Sequence, residues 1–202
     1  MKNDRPPLFT IGHSNHEWPE FVALLQRHGI SAVADVRSQP ASRLQQYNKP
    51  TLQAKLREAG IEYVFLGREL GARRDEAECY DGNQASYERV ARLPRFREGL
   101  DRLRRGSREH RIAILCAEKE PLDCHRAILV CRQLRDEFHI QHILADGSIE
   151  DHGHTERRLV RQLDVTPTLF NPNPTADELI QQAYEDRGRQ IAYREEHEGA
   201  RA

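Results

Sequence analysis

The stretch RIAILCAEKEPLDCHRAILVCRQL, residues 111–134, decides how this chain folds. Its first part, Arg111 to Cys116, carries the apolar run Ile112-Ala113-Ile114-Leu115 and is the most strand-like segment in the sequence. Glu118 to Asp123 reads as a polar turn holding Pro121. From Arg126 to Glu137, Ile128, Leu129, Val130 and Leu134 supply the apolar face of a buried helix. Strand, turn and helix in that order is the repeating unit of an open parallel sheet.

The same unit recurs on both sides of it. Leu8 to Ile11 reads as a first strand closed by Gly12. Ser14 stands three residues before Glu17, the spacing of a capping box, and Trp18, Phe21, Val22, Leu24 and Leu25 give a helical apolar face. Gly29 stops that helix, and Ala32 to Val36 is the second strand. A polar loop runs from Arg37 to Asn48; Pro50 opens a helix through Glu58, Gly60 ends it, and Ile61 to Leu66 is the third strand. Gly67 to Gln84 is expected as a long loop, with Cys79 incidental within it. A helix from Ser86 to Arg104 should break near Pro94. His139 to Leu144 is the fifth strand, closed by Ala145-Asp146-Gly147. The predicted class is a three-layer α/β/α fold with a mainly parallel five-stranded sheet and a helical C-terminal tail. Residues 1–150 are expected to form one domain that carries the site. Residues 151–202 form a polar extension with helices near Thr155 to Leu163 and Asp177 to Tyr193, docked or partly disordered.

The chain has 202 residues, enough for one domain with a full core. Its 31 Lys and Arg against 32 Asp and Glu leave a net charge of -1, so no global field draws it to nucleic acid or to a membrane surface. A nucleic-acid partner stays open only through a local patch: Arg68, Arg73, Arg74, Arg102, Arg104, Arg105 and Arg108 are the candidates, although solvated faces are the ordinary reading. No apolar run approaches a membrane span, and Met1 to Pro7 lacks the apolar core of an export signal. The cytoplasm is the expected compartment, and there Cys79, Cys116, Cys124 and Cys131 are thiols or ligands rather than a disulfide framework.

In an open parallel sheet the loops at the carboxyl ends of the strands share one edge, where ligands bind. That rule gathers His13 and Ser14 after the first strand, Asp35, Arg37, Ser38, Ser42 and Arg43 at and after the second, and Tyr63 just before the loop of the third. The fourth strand delivers Cys116, Glu118 and the group Cys124-His125-Arg126. The expected catalytic set is Cys116, Glu118, Cys124, His125 and Asp35. The expected substrate-binding set is His13, Ser14, Arg37, Ser38, Arg43, Tyr63 and Arg126, with Arg37 and Arg126 forking onto a small anion. Free N–H groups at the start of the helix after Cys124 would favour that anion and lower a thiol pKa. Each residue also has a structural reading: Cys116 as a small hydrophobe, Asp35 with Arg37 as an internal ion pair, His13 as part of a cap, His152 and His154 as solvated, Cys131 as core.

Metal binding is the second reading of the cysteines. Cys116, Cys124 and His125 are Cys/Cys/His ligand types, with His13 or His142 as completions, but no CxxC pair marks the site. A phosphatase-like loop needs five residues between its cysteine and arginine, whereas nine separate Cys116 from Arg126. A rhodanese-like sulfurtransferase shares the logic of a strand followed by a cysteine, yet the loop here is interrupted by Pro121 and lacks glycine. No GxGxxG, Walker loop or HExxH is present.

Taken together, Thr10-Ile11-Gly12-His13-Ser14, Asp35-Val36-Arg37-Ser38 with Pro40 and Ser42, Tyr63, Leu66-Gly67 with Leu70-Gly71, Cys116-Ala117-Glu118, Cys124-His125-Arg126, His142-Ile143 and Asp146-Gly147 resemble the domain of unknown function 488 family. The resemblance runs in order over about residues 8 to 152, with Ala72 where that family usually has a second glycine. It implies a compact α/β domain with a shared polar site and names no reaction. The expected function is an enzyme, thiol-dependent transferase or hydrolase, acting on a small phosphate- or nucleotide-like anion. The alternatives are a nucleotide or nucleic-acid binding module and a metal-dependent hydrolase.

Overall fold

The computed structural model describes residues 5–169 and 171–195; the N-terminal reading of Met1 to Asp4, and the last part of the predicted extension, lie outside them. The central sheet has six strands in the order β3-β2-β6-β1-β7-β8. These are β1 (Pro7–Gly12), β2 (Ala32–Asp35), β3 (Glu62–Phe65), β6 (Ile112–Cys116), β7 (His139–Ile143) and β8 (Ile149–Asp151). The first five are parallel, as the alternating sequence pattern predicted. The sixth, β8, runs antiparallel to β7 at the edge and crosses the expected boundary at residue 150. It is only three residues long with one buried side chain, too short for periodicity to announce it.

Period-two alternation along β6 sends its side chains to opposite faces. Ala113 and Leu115 join Phe9, Ile11 and Val33 beneath α1 (Trp18–Arg27) and α2 (Lys49–Glu58). Ile112, Ile114 and Cys116 join Leu8, Ala34 and the opposite helical layer. That layer holds α4 (Tyr87–Arg92), α5 (Pro94–Gly106), the stretch Arg126–Cys131 with α6 (Arg132–Leu134), α7 (His152–Gln162) and α8 (Ala176–Ile191). The predicted break falls at Leu93, between α4 and α5, where Pro94 opens the second helix and Ser86 caps the first. Ala183 and Tyr184 of α8 are buried in this core.

Three local expectations change. Glu17, not Ser14, precedes α1, and Ser14 instead adopts a left-handed backbone (φ 47°) in the loop after β1. The segment from Gly67 is less of a loop than its charge suggested. It forms α3 (Gly67–Leu70), a turn at Ala77–Cys79 and the hairpin β4 (Tyr80–Asp81) and β5 (Gln84–Ala85), and it buries Leu70 and Cys79 in the core. His152 is buried as well. A continuous chain links Thr10 Oγ1 to His142 Nδ1 (2.8 Å), His142 Nε2 to His152 Nδ1 (2.9 Å), His152 Nε2 to Tyr184 Oη (2.9 Å) and Tyr184 Oη to Glu156 (2.8 Å). The carboxylate of Glu156 only accepts, so Tyr184 donates to it and every proton upstream points the same way. Both histidines are therefore Nε2–H tautomers. His142 serves this chain, which corrects its reading as a completing metal ligand.

Connections from β1 and β6 leave in opposite directions: α1 carries the chain towards β2, and the helix after Cys124 carries it towards β7. The crevice at the carboxyl ends of such a strand pair is the switch point of an open α/β sheet. Among the described residues, no helix is long and apolar enough to cross a membrane.

Candidate active site

The loop after β6 is held over the end of β1 by continuing the sheet ladder. His13 N donates to Cys116 O and Ser14 N to Ala117 O, both at 2.9 Å. Gly12 makes the approach possible, since a Cβ there would stand 1.9 Å from the carbonyl oxygen of Glu118. Arg126 closes the loop from below. It is fully buried, and it donates to Glu118 O (2.6 Å) and Lys119 O (3.1 Å). The expected fork from Arg126 onto a substrate is thus replaced by a fork onto backbone, and Arg126 is a positioning residue. The helix-start N–H groups are also engaged: Arg126 N reaches Cys124 Sγ at 3.4 Å, and Ala127 N and Ile128 N donate to Cys124 O. The chain opens there as a six-residue π-helical turn, a form that recurs at functional sites, rather than as a free α-helix terminus.

Four side chains converge above this frame. Donor atoms of Cys116, Glu118, Cys124 and His125 all lie within 4.8 Å of one another. Cys116 Sγ is 3.6 Å and Cys124 Sγ 4.0 Å from His125 Nδ1, and Cys124 Sγ is 2.9 Å from Glu118 Oε2. His125 Nε2 donates to Val36 O at 3.1 Å; a carbonyl only accepts, so in the neutral ring Nδ1 keeps its lone pair and turns it towards the two sulfurs. Burial resists ionisation of both thiols. At Cys124 it is outweighed by the neighbouring Cys116 thiol, the Arg126 charge and His125, which hold Cys124 well below the ordinary thiol range. At Cys116, burial and the adjacent Cys124 push the pKa well up. Burial and the Cys124 charge also raise Glu118.

The residues after β2 buttress this cluster. Arg37 grips Asp35 through Nε (2.8 Å) and Nη2 (2.6 Å) and donates Nη1 to Tyr47 O, and Tyr63 adds its hydroxyl to Asp35 Oδ2 at 2.8 Å. With both oxygens occupied and the side chain fully buried, Asp35 is committed to these partners and stands outside the pocket lining. The clamp Asp35–Arg37–Tyr63 instead fixes the strand end whose Val36 carbonyl orients His125. His13 is buried and stacked on Tyr47 at 4.2 Å, with Nδ1 on its neighbour's carbonyl. Its Nε2 has no hydrogen-bond partner among the described residues, and burial lowers its pKa to about 4. Ser38 accepts from Arg73 N at 2.9 Å. Ser14 and Arg43 stand outside the pocket lining.

An open pocket of about 370 Å³ reaches the cluster. Cys116, Glu118 and His125 line it together with Arg37, Ser38 and Arg73, whereas Cys124 lies behind them. Sequence reading missed three of its walls, Tyr87, Ile191 and Tyr193. Tyr87 sits at the first turn of α4, and Tyr193 lies under the Arg73 guanidinium, 4.7 Å from its ring centre. Nothing in their local sequence points to a site, because long-range packing brings them there.

Fold and site define an open parallel α/β protein with a thiol, imidazole and carboxylate cluster at its switch point. The family model described as Domain of unknown function DUF488 matches residues 17–132, and the chain belongs to that family. Neither the curated proteins nor the solved structures gave a match.

Proposed function

We propose that the chain is an enzyme, a hydrolase or group transferase, that acts on a small anionic substrate bound in the pocket over Cys116, Glu118 and His125. The observation that carries this reading is convergence. Four reactive side chains from one strand end and the turn after it meet within 4.8 Å, and three of them, Cys116, Glu118 and His125, line an open pocket. A core corner has no need of an imidazole facing two thiols, since buried polar groups cost stability unless partnered, and the Glu118 carboxylate stands exposed beside them.

The substrate's charge is inferred from Arg73. Its guanidinium lines the pocket and makes no ion pair with a carboxylate among the described residues, whereas Arg37 and Arg126 are committed to the protein itself. Glu118 is placed to move a proton between the cluster and a bound molecule. Of the seven arginines that the sequence offered as a nucleic-acid patch, three are neutralised: Arg74 pairs with Glu76, Arg102 with Glu69, and Arg104 with Asp101 and Glu137. That pairing favours a small substrate over a polyanion.

The test is a screen of small phosphate and carboxylate esters with the wild-type chain, Glu118→Gln and Arg73→Ala. The expected result is a turnover that Glu118→Gln lowers by about 10²–10⁴-fold and that Arg73→Ala weakens chiefly through KM. Iodoacetamide should abolish it, with substrate protecting Cys116. Turnover indifferent to Glu118→Gln and to alkylation would overturn the reading.

A further inference from the structure

Cys116, Cys124 and His125 have the separations of ligands sharing one ion. Around a tetrahedral zinc-type ion, with bonds of about 2.3 Å to sulfur and 2.0–2.1 Å to nitrogen, a sulfur and a nitrogen lie about 3.6 Å apart. The two sulfurs stand 3.6 and 4.0 Å from His125 Nδ1. That nitrogen is already presented as a ligand, because Nε2 is tied to the Val36 carbonyl, the outer partner that ligating histidines ordinarily have. Arg126 N, directed at Cys124 Sγ, offers a second hydrogen bond of this supporting kind. Glu118 Oε2, at 2.9 Å from Cys124 Sγ, is closer than two ligands of one ion sit, which puts the carboxylate beside the ion rather than on it.

We infer that Cys116, Cys124 and His125 form a three-ligand site for a zinc-type divalent transition metal, open towards the pocket on its fourth side, with Glu118 next to that opening. The assignment rests on the proposed enzymatic use of this cluster and deepens it: the cysteines act as ligands, and the substrate is met by the metal and by Glu118. Loading forms two metal–sulfur bonds and one metal–nitrogen bond and releases to solvent whichever protons the three ligands carry, with no change of oxidation state. Three protein ligands with an open position is the arrangement of catalytic rather than structural zinc sites. When bound, such an ion supplies a Lewis acid and lowers the pKa of water.

The experiment is metal analysis of the full-length chain purified without a histidine tag, followed by cobalt substitution and optical spectroscopy. Stoichiometric metal is expected, lost in Cys116→Ser, Cys124→Ser and His125→Gln but retained in Glu118→Gln. The cobalt form should show the intense sulfur-to-metal absorption of thiolate ligation, a reading on the wild-type protein that stands even where a cysteine variant fails to fold. Three results overturn the assignment: metal-free protein that gains no such absorption, metal kept when the three ligands are replaced, or isolation of a Cys116–Cys124 disulfide in place of metal. Loss of metal in Glu118→Gln would overturn the open fourth position. Turnover that survives complete chelation would remove the metal and leave the enzyme standing. Stoichiometric thiolate-bound metal without turnover would support the metal and count against the enzyme.

Discussion

Replacing Gly12 with alanine tests whether the loop over the site depends on a single close approach. The new Cβ would lie 1.9 Å from Glu118 O and 2.8 Å from its carbonyl carbon, where ordinary contact begins at 3.4 Å. The carbonyl must therefore retreat by about 1.5 Å, because both partners are backbone and the strand cannot shift alone. Such a retreat runs at nearly a right angle to the bond from Arg126 Nη1, now 2.6 Å, so that contact lengthens by only about 0.3 Å and is kept. Overpacking against backbone costs about 1–3 kcal/mol, so Gly12→Ala should destabilise the chain by about that much. For a chain of this length that lowers Tm by about 2–12 °C. Thermal and urea unfolding by circular dichroism measure the loss, and the rate of Cys116 alkylation reports the loop. Gly188→Ala is the contrast: its Cβ meets Tyr87 at an ordinary 3.4 Å inside α8, and helix propensity should stabilise it by up to about 1 kcal/mol. A Gly12→Ala protein that melts with the wild type and alkylates at the same rate would refute the reasoning.

Three further outcomes follow from the buried polar groups. Arg37→Met should cost about 3–5 kcal/mol by stranding the Asp35 carboxylate, whereas Tyr63→Phe removes only one of its donors and should cost nearer 1 kcal/mol; chemical denaturation separates the two. Tyr184→Phe leaves His152 Nε2–H and Glu156 each short of a partner and should cost about 1–3 kcal/mol, read as earlier melting. Burial, followed by the Arg135 charge, lowers His152 to about 4 from 6.5, with Asp151 opposing and His142, Tyr184 and Glu156 in contact. Between those pH values the unfolded chain binds the extra proton, so stability is full above about pH 6.5 and falls as pH drops towards 4, by up to about 3 kcal/mol for this histidine. Unfolding free energy that stays flat from pH 7 to 4.5 would contradict the neutral chain of histidines.

Much of the fold was legible because hydrophobic alternation and glycine stops are local properties. The five parallel strands, the break at Pro94 and the carboxyl-edge gathering of Cys116, Glu118, Cys124 and His125 all follow from them. The edge strand β8 and the docked segment around Cys79 and Tyr80 were not legible, since tertiary contact rather than pattern buries them. The site divides in the same way. Residue type marked the four converging groups, but partners decided the roles of the rest. Arg126 looked like an anion ligand and grips backbone carbonyls. Asp35 looked like a proton carrier and is saturated by Arg37 and Tyr63. The Val36 carbonyl, which fixes the tautomer of His125, has no signature in sequence at all.

X-ray absorption at the metal edge of the full-length chain tests the central assignment most directly. The expected first shell contains two sulfurs at about 2.3 Å and a nitrogen at about 2.0–2.1 Å, from Cys116, Cys124 and His125. A shell of nitrogen and oxygen alone, or no bound metal to measure, would contradict it.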